Sequence, residues 1–255
     1  MRIPADAARH PVLRFPRRIP GLLAAVALAA ACSHEPSPTE PSPAPGTASL
    51  PLERVTEHFV LRYGPSTEPL MGGYAEALEA SWPRITAELG AAPSRIEGLF
   101  HPDQASYTAA TGYAAGGSVE GPDRFHLVAV PFAPTNAVHE FAHNVTLHLS
   151  PAAGNNPVWL WEAVALYEAG QLVPPSSVPW LAAGTFPTLT QLNDRSGPYS
   201  IYQVGYVLAE FVVRTWGVDG LRRLVLAGGD TSTALGISTA GFESAWREFV
   251  VSRYF

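Results

Sequence analysis

Residues 139–143 read HEFAH, and this stretch decides how the second half of the chain folds. Side chains four residues apart lie on the same face of an α-helix, so the imidazoles of His139 and His143 fall within about 40° of each other around the helix axis. Glu140 lies beside them, near enough to reach a water at a metal without binding the metal itself. The spacing predicts a helix over residues 136–149 that presents two metal ligands on one side.

A second apolar stretch, WLWEA at residues 159–163, begins 15 residues after this motif and contains Glu162. A carboxylate in an apolar helical stripe is costly to bury unless it is paired or bound to a metal. Two neutral imidazoles and one carboxylate leave a fourth position of a tetrahedral ion open, as in catalytic zinc sites. The sequence therefore predicts a Zn2+ site with His139, His143 and Glu162 as ligands.

These motifs resemble those of the gluzincin metallopeptidases, the group that includes thermolysin and aminopeptidase N. The resemblance is carried by the two histidines, the 18-residue gap to Glu162 and the surrounding WLWEAVA, in which Ala163 replaces the usual glycine. The YQVG stretch at residues 202–205 is similar to the Tyr-x-x-Gly with which relatives of aminopeptidase N begin their next helix. The resemblance extends over about residues 53–255 and implies one metallopeptidase domain.

The resemblance implies zinc-dependent hydrolysis of peptide bonds. In that reading the zinc-bound water is the nucleophile, Glu140 is the general base, and Tyr202 is the second donor to the oxyanion, with Tyr199 as its rival. The alternative is a catalytically silent lipoprotein that keeps the peptidase fold and serves as a binding or assembly module.

The substrate implied is a peptide or protein. Exopeptidases of the group anchor a free amine with a Gly-x-Met-Glu-Asn-like motif, and residues 118–121, SVEG, are a poor substitute for it. An endopeptidase is therefore preferred. The stretch 124–130 is the candidate edge strand for pairing with an extended substrate.

The N-terminal region has the pattern of an export signal. Arg14, Arg17 and Arg18 precede an apolar run at residues 21–31, which is too short to span a bilayer and ends at Cys32, the only cysteine. This resembles a bacterial lipoprotein signal, so we expect residues 1–32 to be a signal peptide with lipid on Cys32. Residues 33–52, rich in Pro and Ser, are then a tether to a membrane. The implied location is the cell envelope, at the outer membrane or periplasmic face in a diderm bacterium.

The order of the remaining patterns predicts an α+β fold in one domain, residues 53–255, with a small sheet first and a helical lobe after it. We expect strands at residues 55–63, 95–101 and 124–131, helices at 74–89 and 105–111, and a loop at 116–122. After the two motif helices, we expect helices at 202–216, 219–227 and 240–254, with residues 172–198 mostly irregular.

The charge of the chain argues against a nucleic-acid partner. All 16 basic residues are arginine, and from residue 33 onward 11 arginines face 21 Asp and Glu residues. A phosphate backbone is repelled by such a balance, and the body contains no basic cluster to offset it. Oligomeric state is left open by the sequence.

Overall fold

The computed structural model describes residues 50–131 and 133–255. The expected signal peptide, the lipid site at Cys32 and the tether up to residue 49 lie outside the described residues. Within the part of the chain that is described, no helix has both the length and the apolar character needed to cross a bilayer.

Five strands form one mixed sheet in the order β1-β2-β3-β5-β4. The parallel centre is β2-β3-β5, and the outer strands β1 and β4 each pair antiparallel with their neighbour. Along β2 the buried side chains alternate with half-buried ones, as expected when one face of a strand meets a core. The strands are β1 (Leu52–Val55), β2 (Phe59–Tyr63), β3 (Ile96–His101), β4 (Gly117–Val119) and β5 (Arg124–Val128).

Helices pack against the sheet and make up most of the second half of the described chain, which confirms the α+β class. In chain order they are α1 (Met71–Leu89), α2 (Gln104–Thr111), α3 (Pro134–Leu149), α4 (Val158–Glu168), α5 (Pro179–Ala182), α6 (Leu189–Leu192), α7 (Gly205–Leu226), α8 (Thr231–Leu235) and α9 (Thr239–Tyr254).

An aromatic cluster fixes α3 under the sheet. Phe141 stacks on Trp82 of α1 with ring centroids 5.1 Å apart, and Phe59 of β2 meets both rings edge-on. Phe141 is two residues from His139, so it points away from the motif histidines. The core therefore holds one face of α3 while the opposite face, with its two imidazoles, is turned toward α4.

Two expectations about the sheet were wrong. Residues 55–63 are not one strand, because Thr56 N–H donates to Phe59 O at 2.9 Å and closes a turn between β1 and β2. The expected loop at 116–122 contains β4, since Gly121 adopts φ 72° and lets the chain return as a hairpin onto β5. As a result β4, and not the stretch 124–130, forms one edge of the sheet, and β1 forms the other.

The C-terminal helices also differ from expectation. The helix expected from residue 202 begins at Gly205, and Tyr202 lies in a preceding 3-10 turn, Ile201–Gln203. The helices expected at 202–216 and 219–227 are two segments of α7, joined through a kink at Gly217 with φ 73° and ψ 175°. Residues 172–198 contain the short helices α5 and α6, and α8 had no counterpart among the expected elements.

Candidate metal centre

The three expected ligands converge between α3 and α4. One ligand atom from each of His139, His143 and Glu162 lies within 4.8 Å of the others, and all three side chains are buried. Glu162 Oε2 is 3.3 Å from His139 Nε2 and 3.7 Å from His143 Nε2. Ligands at zinc distances of about 2.0–2.1 Å in a tetrahedron lie about 3.3 Å apart, so this spacing fits a single small cation.

The unpaired atoms at the centre support the same conclusion. His143 Nε2 and Glu162 Oε2 are both buried without a hydrogen-bond partner, although burying such atoms unpaired is costly. Both point at the space that the three ligands share. A divalent cation there would satisfy them together, and the donor set of two nitrogens and one oxygen suits it. This His-His-Glu group can therefore hold a metal ion.

The side chains around the histidines fix their orientation. Gln171 Oε1 lies 2.9 Å from His139 Nδ1, and Gln171 itself donates to Asn136 Oδ1 at 3.0 Å. With its Nδ1–H directed at the amide oxygen, His139 turns the Nε2 lone pair toward the centre. The ring of His143 stacks on Trp161 at 3.9 Å between centroids, with the planes only 7° apart.

The pKa shifts of Glu162 and His143 suit metal binding, whereas His139 must lose a proton before it can bind a metal. Burial alone would raise the pKa of Glu162, but the two imidazoles outweigh it and hold that pKa well below its ordinary value. Burial, with the nearby His139, lowers the pKa of His143 to about 4. Burial also opposes charging of His139, yet the carboxylates of Glu162 and Glu140 raise its pKa overall. Near neutral pH the centre thus holds an ionised carboxylate and a neutral His143, the forms that ligate metals.

Arg195 completes the environment of Glu162. Its guanidinium donates to Glu162 Oε1 at 2.9 Å, so the two carboxylate oxygens have separate partners. The same guanidinium donates to Asn155 Oδ1 at 2.6 Å and to the Tyr202 hydroxyl at 2.7 Å. Tyr202 is therefore connected to the metal ligand through Arg195.

Glu140 lies between the centre and the edge strand. A Cβ added to Gly117 of β4 would overlap Glu140 Oε1 and come within 2.8 Å of its Cδ, so the Glu140 side chain could not keep its present position against a larger residue. Burial, together with the Glu162 carboxylate, raises the pKa of Glu140 to about 8, against an opposing effect of His139. Its Oε2 is buried and has no hydrogen-bond partner.

A cleft of about 1050 Å³ opens onto the centre. Glu140 and His143 form part of its wall, which extends along β4 and around to Arg195. Ser118 and Val119 of the edge strand also line it. A chain entering the cleft would run past an unpaired strand edge before it reached the acid and the imidazoles.

Other candidate residues lie away from the centre. His148 is on the far side of α3, where it bonds Asp123 at 2.7 Å, as its angular position predicts. Glu168 pairs with Arg84 on the side of α4 that faces α1. The ring of Tyr199 packs edge-on against Trp180.

Sequence reasoning missed three residues that shape the centre. Arg195 lies 33 residues after Glu162 in a segment expected to be irregular, and Gln171 lies just beyond the end of α4. Gly117 was assigned to a loop. None of the three belongs to a periodic pattern, so only their type offered a signal: an arginine or an amide near a buried acid, and a glycine where two backbones come close.

No family model matches the chain, and no curated protein is significantly similar to it in sequence. The interpretation of the centre therefore depends on its own geometry.

Proposed function

We propose that the protein is a zinc-dependent peptide hydrolase, with Zn2+ held by His139, His143 and Glu162. The observation that carries the proposal is the convergence of these ligands beside a second acid, Glu140, at the wall of a cleft bordered by a strand edge. A metal centre that served structure alone would have four protein ligands and no open side.

The donor set favours zinc over other common metals. Imidazole nitrogens suit Zn2+, whereas Mg2+ and Ca2+ prefer sites made wholly of oxygen ligands. Zinc in such a site polarises a carbonyl group and lowers the pKa of a water toward neutrality. The side chains of the protein carry out the remaining steps of the proposed reaction.

Glu140 is the proposed proton carrier. In its ionised form, which a cation at the centre would favour, its carboxylate takes the proton from the attacking water and later delivers it to the departing amine nitrogen. Its position beside Gly117 puts it between the strand edge and the ligands, where both proton donor and acceptor would lie. Burial protects this exchange from bulk solvent.

The edge strand β4 is the proposed docking site of the substrate backbone. Its inner edge pairs with β5, and the cleft runs along residues that line its other side. An extended peptide can add to such an edge through main-chain hydrogen bonds, which do not depend on sequence. This supports an endopeptidase acting within extended chains.

Tyr202 is preferred to Tyr199 as the donor that stabilises the oxyanion. The Tyr202 hydroxyl is bonded to Arg195, which also binds Glu162, whereas Tyr199 packs against Trp180. The connection to the metal ligand is the observation that separates the two tyrosines.

The proposed location is the cell envelope, with the domain attached to a membrane by lipid on Cys32. This part of the proposal depends on the sequence alone. Labelling of cells with a fatty-acid analogue, for the natural chain and for Cys32→Ser, tests it. Equal labelling of the two chains would contradict it.

The activity is tested with Glu140→Gln and the matched control His148→Gln on the same helix. The natural chain should bind one zinc and cleave a quenched peptide library in a manner abolished by a chelator and restored by zinc. Glu140→Gln should keep the metal and lose about 10²- to 10⁴-fold in turnover, while His148→Gln should keep both. Full activity of Glu140→Gln with its metal bound would refute the mechanism. A natural chain that binds zinc and cleaves nothing would favour the binding module.

A further inference from the structure

Arg195 connects four segments of the chain around the metal centre. It lies in the stretch between α6 and the 3-10 turn at Ile201–Gln203, and its side chain is 21% exposed. Its guanidinium donates to Glu162 Oε1, Asn155 Oδ1 and the Tyr202 hydroxyl, all between 2.6 and 2.9 Å. These acceptors come from α4, from the residues before it, and from the turn before α7.

The bond to Glu162 separates the functions of its two oxygens. Oε1 is engaged by Arg195, while Oε2 faces His139 Nε2 and His143 Nε2. A carboxylate can bind a metal through one oxygen or through both. With an arginine held on Oε1, only Oε2 is directed at the cation. The arginine also compensates the charge of a carboxylate that is fully buried.

The geometry of the contact requires arginine. One terminal nitrogen reaches Tyr202 and the other reaches both Glu162 and Asn155. A planar guanidinium presents donors in fixed, divergent directions, whereas a lysine ammonium is a single point at the end of a flexible chain. A lysine at this position could hold one of the acceptors but could not keep the carboxylate and the hydroxyl apart at a fixed angle.

We propose that Arg195 is a positioning residue that restricts Glu162 to ligation through one oxygen and ties the Tyr202 hydroxyl to that ligand. This role rests on the metal site of the proposed function. It makes the coordination number of the metal and the position of the tyrosine depend on one side chain. A salt bridge that only stabilised the fold would leave the coordination of the metal unchanged when it was removed.

The test uses Co2+ in place of zinc, because its visible absorption reports coordination without any activity assay. Four-coordinate Co2+ absorbs more strongly in the visible range than five-coordinate Co2+. Arg195→Met should shift the spectrum toward five-coordination, as Glu162 becomes free to use both oxygens, and should weaken metal binding by about 10- to 100-fold. The matched control Arg84→Met, at the other buried acid of α4, should change neither.

Two further variants keep the proposal falsifiable. If Arg195→Met does not fold, Arg195→Lys should produce the same spectral change at smaller amplitude. Tyr202→Phe should leave the Co2+ spectrum intact and lower turnover by about a hundredfold, which separates the two partners of the arginine. Folded Arg195→Met and Arg195→Lys proteins with an unchanged spectrum and natural metal affinity would overturn the proposal.

The outcomes distinguish this role from the proposed activity. A natural chain that binds no Co2+ removes the metal site and the role of Arg195 with it. A spectrum that responds to Arg195→Met in a protein with no peptidase activity would refute the proposed function and still support the positioning role.

Discussion

Helix α4 carries two buried glutamates, and each is paired with an arginine. Glu162, near the start of the helix, accepts a hydrogen bond from Arg195 and faces two imidazoles. Glu168, at the end of the helix, contacts Arg84 and lies near Glu88. Both are almost completely inaccessible to solvent. The pKa of Glu162 is held well below its ordinary value, while burial and Glu88 raise that of Glu168 to about 8.

The difference shows that a buried acid with an arginine partner is not by itself a functional site. The Glu168 pair joins α1 to α4, because Arg84 also donates to the Glu168 carbonyl oxygen. At Glu162 the arginine occupies one oxygen and the imidazoles face the other. The convergence of two imidazoles on the carboxylate, with unpaired buried atoms on His143 and Glu162, is what separates the candidate metal centre from the structural contact of Glu168 with Arg84.

The largest effect should come from neutralising each acid in turn. Glu162→Gln should weaken Zn2+ binding by more than about a hundredfold, because removing a ligand exceeds the loss caused by removing a group that orients one. Glu168→Gln should keep one zinc per chain at the natural affinity. Competition with a chromophoric chelator measures both. Tight Zn2+ binding by Glu162→Gln would mean that another residue is the third ligand.

Substitution of two glycines should separate a residue that supports activity from one that supports stability. Gly117→Ala would push against Glu140 and should lower turnover on the order of a hundredfold with the metal retained, as expected for a proton carrier displaced by about 1 Å. A Cβ on Gly205 would come 2.6 Å from Leu166 Cδ1 and 3.1 Å from Ala163 Cα, so Gly205→Ala should cost about 1–3 kcal/mol of stability. Denaturant unfolding and turnover per folded molecule separate the two effects. A loss of stability in Gly117→Ala together with a loss of turnover in Gly205→Ala would contradict this account of the site.

Removal of the structural arginine should affect the fold alone. Arg84→Met leaves Glu168 buried without its cation, which we expect to cost about 1–2 kcal/mol. The cost stays below that of a fully buried ion pair because the Arg84 side chain is 43% exposed and the carboxyl of Glu168 holds its proton up to about pH 8. Urea unfolding of the zinc-bound protein measures the change. Loss of metal or of turnover in folded Arg84→Met would show that the two ends of α4 are coupled.

The smallest effect should appear in the pH dependence of stability. The folded protein keeps the proton of Glu168 up to about pH 8, while the unfolded chain loses it near pH 4.5. The unfolded state binds fewer protons between these values, so the free energy of unfolding falls as the pH rises through that window. Between pH 5 and pH 8 the Tm of the metal-free natural chain should therefore drop more than that of Glu168→Gln.

Comparing the natural chain with Glu168→Gln removes the contribution of other groups to the pH dependence of Tm, since a group such as Glu140 titrates in both proteins. Parallel Tm curves for the natural chain and Glu168→Gln would mean that Arg84 keeps Glu168 ionised throughout.

The sequence by itself determined the α+β class, with strands first and helices after them, and the two helices that carry the candidate ligands. His139 and His143 share a face because the helical repeat is local, and Glu162 was recognisable because an acid interrupts an apolar run. The end of α1 at Gly90 and of α2 at Gly112 also followed from sequence, since both glycines adopt positive φ as helix caps.

Only the tertiary structure decided what surrounds the ligands. The tertiary structure puts β4 at the sheet edge and brings Gly117 against Glu140. It also brings Arg195 and Gln171 to their hydrogen-bond partners at the site. The residues in these contacts are separated by between 23 and 40 positions or by whole elements. Periodicity encodes which side chains share a face of one helix or strand, and it carries no information about which loop closes over that face. That choice is made when the sheet and the helices pack, because only then are the buried oxygens and nitrogens forced to find partners.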